Sequence, residues 1–466
     1  MSIITEFINQ ANDILWTYIL IAMLLGCAIW FSFKTRFVQF RMLGEMIRLL
    51  GDSTAKIDGH EKHISSFQAF TISLASRVGT GNLAGVATAI TVGGPGAIFW
   101  MWIIALLGAS SAFVESSLAQ LFKIKSKHSY IGGPAYYMEK GLKKRWIGVL
   151  FAILITITFG FAFNSVQSNT ICAAFDSAFN IPPVYMGIGI TLLTIIIIFG
   201  GVHRIANVSS FLVPFMALGY IILALYIVIS NITHLPDIII LIIKNAFGIE
   251  QAVGGGIGAA LMQGIKRGLF SNEAGMGSAP NAAATAHVTH PAKQGFIQAL
   301  GVFTDTLLIC TCTAFIILFS GENLNAGLDG IQLTQAALNS QIGSIGSTYI
   351  AVAILFFAYS SILGNYYYGE ANIRFITKRQ SVIHIYRILV GAMVFFGSIA
   401  SLNFVWSLAD VTMALMAICN LIAIILLGKY AFRLLDDYLM QKKNGIKSPV
   451  FTKDKMKDIE KDINCW

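Results

Sequence analysis

The stretch Ser76-Arg77-Val78-Gly79-Thr80-Gly81-Asn82 interrupts a hydrophobic segment that is otherwise long enough to cross a bilayer. Two glycines, an arginine, a threonine and an asparagine within about two helical turns are costly in lipid, where leucine is the favoured choice. Such a run fits a backbone that leaves the helix inside the membrane. A second segment has the same character: Gly264-Ile265-Lys266-Arg267-Gly268-Leu269-Phe270-Ser271-Asn272-Glu273-Ala274-Gly275. The competing reading of each glycine cluster is close helix packing. That reading fits Gly254-Gly255-Gly256 and much of Gly301 to Gly364, but fits residues 77–82 poorly.

Composition sets the class. Hydrophobic residues make up 56% and charged residues 12% of 466 residues, against about a quarter charged in ordinary soluble domains. Apolar stretches of bilayer-spanning length recur, and each must be helical because lipid offers no partner to the backbone. Eleven spans are expected, near 14–33, 67–90, 97–122, 146–178, 183–200, 207–230, 252–287, 294–320, 347–373, 382–399 and 404–427.

The net charge of +9 invites a nucleic-acid partner, and its distribution argues against one. Of the 32 Lys and Arg, 27 fall in loops on one side of the expected spans, and the loops on the other side hold only Lys244. Arg77, Lys266, Arg267 and Arg387 fall within spans. This is the positive-inside pattern. It predicts an inner-membrane protein with its N-terminus outside and its C-terminus in the cytoplasm. Five of the six cysteines lie in apolar spans and no pair has metal-ligand spacing, so neither a disulfide framework nor a zinc site is expected. The first span is too long for a signal-peptide core and reads as a retained helix.

Setting aside the first span (14–33) leaves ten core spans. The interrupted ones are the first (67–90) and the sixth (252–287), which enter the membrane from opposite sides. Two five-span halves of opposite topology, 67–231 and 252–427, each with a discontinuous first helix, describe an inverted repeat. The paired breaks point to a binding site near the bilayer midplane. Together with the extra helix they form a transmembrane unit over 1–430. Residues 431–466 form a cytoplasmic tail, expected to be mobile from Lys442 onward. Ile238 to Ile243 reads as part of a helix lying on the membrane surface.

The breaks also suggest a ligand. Half-helix N-termini attract anionic groups and freed carbonyls attract cations, so paired breaks suit an amino-acid zwitterion. Asn82 offers amide donors and an acceptor to one ligand. Gln167 is an isolated amide in an apolar span, on one face with Gly160 and Phe163; its alternative role is an interhelical hydrogen bond. Gly79-Thr80-Gly81-Asn82-Leu83-Ala84-Gly85 approaches a dinucleotide fingerprint, but no strand precedes it and the spacing is wrong. No catalytic triad, carboxylate pair or metal set points to an enzyme, and no cofactor is expected. The eight histidines sit in loops or at span ends, where solvated positions are the default. Of the charges inside spans, Arg77 and Glu273 flank the two breaks, and a pair between them would be a gate or clamp. Glu273 and Asp305 are proton-relay candidates, with structural pairing as the plainer role.

One further run, Gly93-Gly94-Pro95-Gly96-Ala97-Ile98-Phe99-Trp100-Met101-Trp102, continuing to Gly108, resembles the alanine/glycine:cation symporter family. The segments Ser76–Asn82 and Arg267–Gly275 resemble helices 1 and 6 of sodium-coupled amino-acid transporters with the leucine-transporter fold. The resemblance covers nearly the whole chain. It implies an all-α membrane transporter of about eleven helices with a 5+5 inverted repeat. It implies a substrate site at Gly79, Thr80, Gly81 and Asn82 with Phe270, Ser271 and Asn272. Gln167 joins that set, and Phe163 with Phe270 would cap a small side chain. For sodium it implies the carbonyls of Ala75 and Val78 with the hydroxyls of Ser360 and Ser361. The function implied is sodium-coupled symport of alanine or glycine by alternating access, with the bilayer as the only other partner. Proton coupling, D-alanine or serine transport, and an amino-acid-gated channel or receptor are the alternatives.

Overall fold

The computed structural model describes residues 2–52, 64–126, 130–200, 202–248, 256–321, 327–328 and 330–466. Gly254 and Gly255, two of the expected packing glycines, lie outside them.

The described chain is almost entirely helical, with one two-residue hairpin pairing Ile124–Lys125 with Tyr130–Ile131. Eight of its helices are long and apolar enough to cross a membrane. They are the N-terminal helix Thr5–Lys34, core helix 2 (Ala97–Leu121), core helix 3 (Arg145–Phe179), core helix 5 (Val202–Ser230, with its apolar span at Val213–Ser230), core helix 7 (Ala292–Phe319), core helix 8 (Ile345–Ile376), core helix 9 (Gln380–Ile399) and core helix 10 (Leu402–Lys443). Core helix 4, Pro183–Ile198, is apolar but shorter. The remaining two expected spans are the interrupted ones, so each of the eleven corresponds to a helical segment.

Core helix 1 forms as Ser66–Arg77 and Gly81–Gly93, separated by Val78-Gly79-Thr80. Its start is fixed by a capping box in which Ser65 and Gln68 satisfy each other's backbone N–H. Core helix 6 runs from Ile257 to Asn272 and resumes as the short helix Ala279–Ala283. The chain between them turns through positive φ at Glu273, Gly275 and Gly277. A side chain is disfavoured there, which accounts for two of those positions being glycine.

The break in core helix 6 therefore begins later than the sequence suggested. Gly264 and Gly268 are helical packing positions. A Cβ on Gly264 would stand 2.4 Å from the carbonyl oxygen of Ala97, and one on Gly268 would stand 2.6 Å from Ile104. They let core helix 6 press against core helix 2. A Cβ on Gly96, in the Gly93–Gly108 run, would lie 2.4 Å from the backbone nitrogen of Ala246. That run brings the start of core helix 2 against the apolar helix Leu235–Ala246, which contains the expected Ile238–Ile243 stretch.

Two segments differ from the sequence reading. Residues 331–342 form a helix where a loop was expected. Its Thr334 hydroxyl donates to the Leu83 carbonyl at 3.2 Å, satisfying a group that the wide turn Gly81–Gly85 exposes. The tail is packed rather than loose. Core helix 10 continues to Lys443, and Phe451, Met456, Ile459 and Ile463 beyond it are buried. Phe451 N donates to Thr289 O at 2.9 Å, and Trp466 Nε1 donates to Gln120 O at 3.0 Å. His290 is likewise fully buried, 3.1 Å from Asp437, not solvated.

Candidate functional site

The first break is held by side chains from three directions. Asn82 Oδ1 accepts from Gly79 N at 2.9 Å, and Gln167 Oε1 accepts from Thr80 N at 3.0 Å. These are N–H groups at the start of the second half of core helix 1, where intrahelical acceptors are lacking. The nitrogen of Asn82 donates to Asp305 Oδ1 at 2.7 Å and lies 3.0 Å from Ser271 Oγ. Ser271 in turn donates to Asp305 Oδ2 at 2.6 Å. Both ends of the Asn82 amide are thus engaged with protein. Every one of these side chains is buried.

A side chain is excluded at Gly79 and crowded at Gly81. A Cβ on Gly79 would stand 2.3 Å from Ser361 Oγ and 2.9 Å from Gln167 Oε1. One on Gly81 would stand 3.0 Å from the Phe270 ring. Residues 79–82 are brought together with Gln167, Phe270, Ser271 and the Ser360-Ser361 pair.

The hydroxyl pair meets the predicted carbonyls. Ser361 Oγ lies 3.0 Å from Ala75 O, 3.3 Å from Val78 O and 3.1 Å from Phe357 O, its own helix carbonyl. Ser360 Oγ lies 3.4 Å from Ala75 O and 2.8 Å from Phe357 O. Two hydroxyl hydrogens face three carbonyls, and each oxygen carries two lone pairs. The set has an excess of uncharged acceptors, which suits a hard monovalent cation.

Phe163 and Phe270 form the apolar side of the site, with ring centroids 4.5 Å apart. Trp406 of core helix 10 extends the stack, 4.7 Å from Phe270. Above it the Arg267 guanidinium lies 4.3 Å from the Trp406 ring and makes a bidentate pair with Asp410 at 3.1 and 2.8 Å. Lys266 joins at 3.3 Å. Asp410 thus links core helices 6 and 10.

The expected Arg77–Glu273 pair is absent among the described ion pairs. Glu273 accepts from Ser76 at 2.8 Å and from Ser278. Arg77 Nη1 reaches only the Gln298 carbonyl, at 3.4 Å. The clamp on the second break is Glu115 of core helix 2. It accepts from Gly275 N at 3.2 Å, Gly277 N at 3.1 Å and Asn420 Nδ2 at 2.8 Å. Asn272 folds inward, its Oδ1 accepting from Ala274 N at 3.0 Å. Its Nδ2, the Thr80 hydroxyl and Trp406 Nε1 are buried with no hydrogen-bond partner among the described residues. Buried polar atoms left this way are unusual in native proteins and call for a partner such as a water, an ion or a ligand.

This geometry can be set beside known proteins. The model of the sodium:alanine symporter family matches residues 1–453. The chain belongs to that family. It is 55% identical over 464 residues to the probable sodium/glutamine symporter GlnT of Bacillus subtilis (strain 168), covering 100% of this chain and 96% of that one. It is 53% identical to the amino-acid carrier protein AlsT of the same organism, covering 100% and 98%. Among solved structures it resembles the manganese transporter of Eremococcus coleocola, with a TM-score of 0.57 and 13% identity over 88% of this chain and 93% of that one. That likeness concerns the fold, the leucine-transporter-type inverted repeat. As a member of the sodium:alanine symporter family, the protein is a secondary active membrane transporter.

Three residues around this candidate site were not assigned to it by the sequence. Glu115 and Asp305 were visible as charges inside spans, but nothing in their spacing named their partners. Trp406 carries no such signal, since an aromatic residue near a span end is ordinary. Wide helical turns at Thr156–Phe163 and Phe303–Cys310 carry Phe163 and Asp305 to the site. Turns of this kind recur at functional sites.

Proposed function

We propose that the protein carries alanine, and glycine with it, into the cytoplasm together with sodium. The substrate sits between the two breaks. Its carboxylate faces the Thr80 hydroxyl and Asn272 Nδ2, donors without a protein partner among the described residues, and its amino group faces backbone carbonyls at the breaks. Thr80 is a direct contact, because its hydroxyl is buried and lacks a protein partner. Gln167 and Asn82 hold the break open by bonding its N–H groups. Phe163, Phe270 and Trp406 bound the side-chain pocket and keep it small. Sodium is held by the Ala75 and Val78 carbonyls with Ser360 and Ser361.

The observation that carries this reading is the approach of Ser361 Oγ to both Ala75 O and Val78 O, at 3.0 and 3.3 Å. It joins core helix 8 to the first break through oxygens alone. Binding of a cation there would tie the two elements together, which is what coupling to substrate at the same break requires. The N-terminus lies outside and the positively charged loops face the cytoplasm.

A specific observation favours a second cation-linked group. Asp305 is a carboxylate with no cationic partner among the described ion pairs, bonded to both breaks through Asn82 and Ser271. It is suited to hold a second sodium ion or a proton. The deciding experiment is uptake of labelled alanine, glycine, serine, D-alanine and glutamine into proteoliposomes, with sodium and proton gradients imposed separately. Alanine uptake driven by sodium alone supports the reading. Full accumulation of alanine on a proton gradient in sodium-free buffer refutes it, and glutamine outcompeting alanine would move the substrate.

A further inference from the structure

A groove of about 260 Å³ opens on the membrane-facing surface between the N-terminal helix and core helix 10. Its lining is Ala22, Met23, Gly26, Cys27, Trp30 and Ile425. It is apolar and small, below the roughly 300 Å³ at which pockets for drug-sized ligands begin. At Gly26 nothing stands within 4 Å of where a Cβ would be, so the groove is open there. One turn beyond Trp30 comes Lys34, and one turn beyond Ile425 comes Lys429; both are exposed.

Both lysines lie toward the same end of their helices. The helix Thr5–Lys34 has 30 residues, about 45 Å at about 1.5 Å per residue. From Leu402 to Lys429 core helix 10 runs about 42 Å by the same rise. Each length matches the roughly 40–45 Å of a bilayer with its headgroups. The contact between the helices agrees: a Cβ on Gly428 would meet Phe31 at 3.2 Å, and the Phe31 and Phe432 rings are 6.2 Å apart. That contact brings Lys429, next to Gly428, and Lys34, three residues after Phe31, to the same end of the helix pair.

Their other contacts are mainly with aromatic rings. Lys34 Nζ lies 4.6 Å from the Trp30 ring, and Lys429 Nζ lies 4.9 Å from the Tyr430 ring. Neither takes part in a described salt bridge, although Lys429 acts electrostatically on Asp458, which Arg433 pairs with at 2.8 Å. Two cations at headgroup depth above an apolar groove complement one kind of molecule. We propose that this groove binds an anionic phospholipid, with an acyl chain along Ala22–Gly26–Trp30 and the phosphate between Lys34 and Lys429. The reading does not depend on the substrate or ion carried. Basic positions between helices at the cytoplasmic face are suited to anionic headgroups.

The test uses purified full-length protein and native mass spectrometry with phosphatidylglycerol and phosphatidylcholine of identical chains. Wild type is expected to retain phosphatidylglycerol about tenfold or more over phosphatidylcholine, from about 1 kcal/mol per lysine. The double variant Lys34→Gln with Lys429→Gln should lose that preference. Gly26→Leu, which fills open space without changing charge, should reduce retention of both lipids at an unchanged melting temperature. The control pair Lys378→Gln with Arg379→Gln removes equal charge from the same end and should keep the preference. The proposal is overturned if wild type shows no preference, if the lysine variant keeps it, or if the control loses it equally. A dimer that Gly26→Leu converts to monomer would also overturn it, because a second copy would then be the occupant.

Discussion

Arg267 and Asp410 form a bidentate pair across core helices 6 and 10, buried within the membrane-spanning part of the protein and capped by the Trp406 ring. The pair sits directly over the Phe270–Trp406 contact that covers the proposed substrate site. Removing one partner of a buried pair leaves the other uncompensated, at a cost of about 3–5 kcal/mol. Asp410→Asn leaves both Arg267 and Lys266 without their carboxylate. Thermal unfolding in detergent should show a marked fall in melting temperature, and a variant as stable as wild type would contradict the burial argument.

Ser361→Ala removes the hydroxyl shared by the Ala75 and Val78 carbonyls. One lost neutral interaction is worth about 0.5–1.5 kcal/mol, a two- to twelvefold change in affinity. The sodium concentration for half-maximal uptake should rise by about that factor, while alanine affinity at saturating sodium changes less. Ser360→Ala should have a smaller effect, since Ser360 is the farther from Ala75 O, at 3.4 Å. Equal sodium dependence in wild type and both variants would remove core helix 8 from the ion site.

How much of this was legible beforehand varies from residue to residue, for physical reasons. Residues 77–82 announced the first break because polar and glycine residues there raise the cost of membrane insertion. The second break was misplaced toward Gly264 and Gly268, because a glycine that permits helix contact and one that permits a turn look alike in sequence. Only the backbone distinguishes them: Gly275 and Gly277 have positive φ, and Gly264 and Gly268 are helical. Glu115 holds the second break from another helix, 160 residues away from Gly275. No local spacing encodes such a partner. The docked tail was hidden by its composition, since its few apolar residues are spread among Lys and Asp.

Glu115→Gln tests that long-range clamp. The substitution keeps the shape and one acceptor oxygen, but its amide nitrogen faces a backbone N–H of the second break. Hydrogen bonds to a charged group contribute about 1.5–3 kcal/mol each. The variant should lose stability and uptake together. Retained uptake at wild-type stability would show that the second break holds its shape without Glu115.

The short helix Leu43–Leu50 supplies a pH-dependent contact outside the spans. Burial raises the Glu45 carboxyl, but its bonds to Arg48 and Tyr438 outweigh that and hold it at about 2. An unfolded glutamate titrates near 4.3. The folded value is depressed, so the stabilisation is complete above the unfolded value and is lost as pH falls toward 2. Wild type should therefore lose melting temperature between about pH 5 and pH 3. Glu45→Gln should show a smaller loss over that interval, and an identical slope would place the titrating contact elsewhere.

Asn82→Leu gives the sharpest distinction between ligand contact and scaffold. The Asn82 amide is saturated: Oδ1 accepts from Gly79 N, and Nδ2 donates to Asp305 with Ser271 beside it. Leucine would leave a buried N–H and a buried carboxylate oxygen each short of a partner. An unsatisfied buried group costs about 1–3 kcal/mol, more when it is charged. The melting temperature should fall clearly. Alanine affinity should fall as well, because Gly79 and Thr80 lose the bond that shapes their turn. Thr80→Val is the companion variant. It deletes a hydroxyl with no protein partner, so stability should hold while alanine affinity drops several-fold. Measuring binding and melting on both purified variants separates the roles. A Thr80→Val protein with unchanged alanine affinity would take Thr80 out of the substrate site and leave its buried hydroxyl to water.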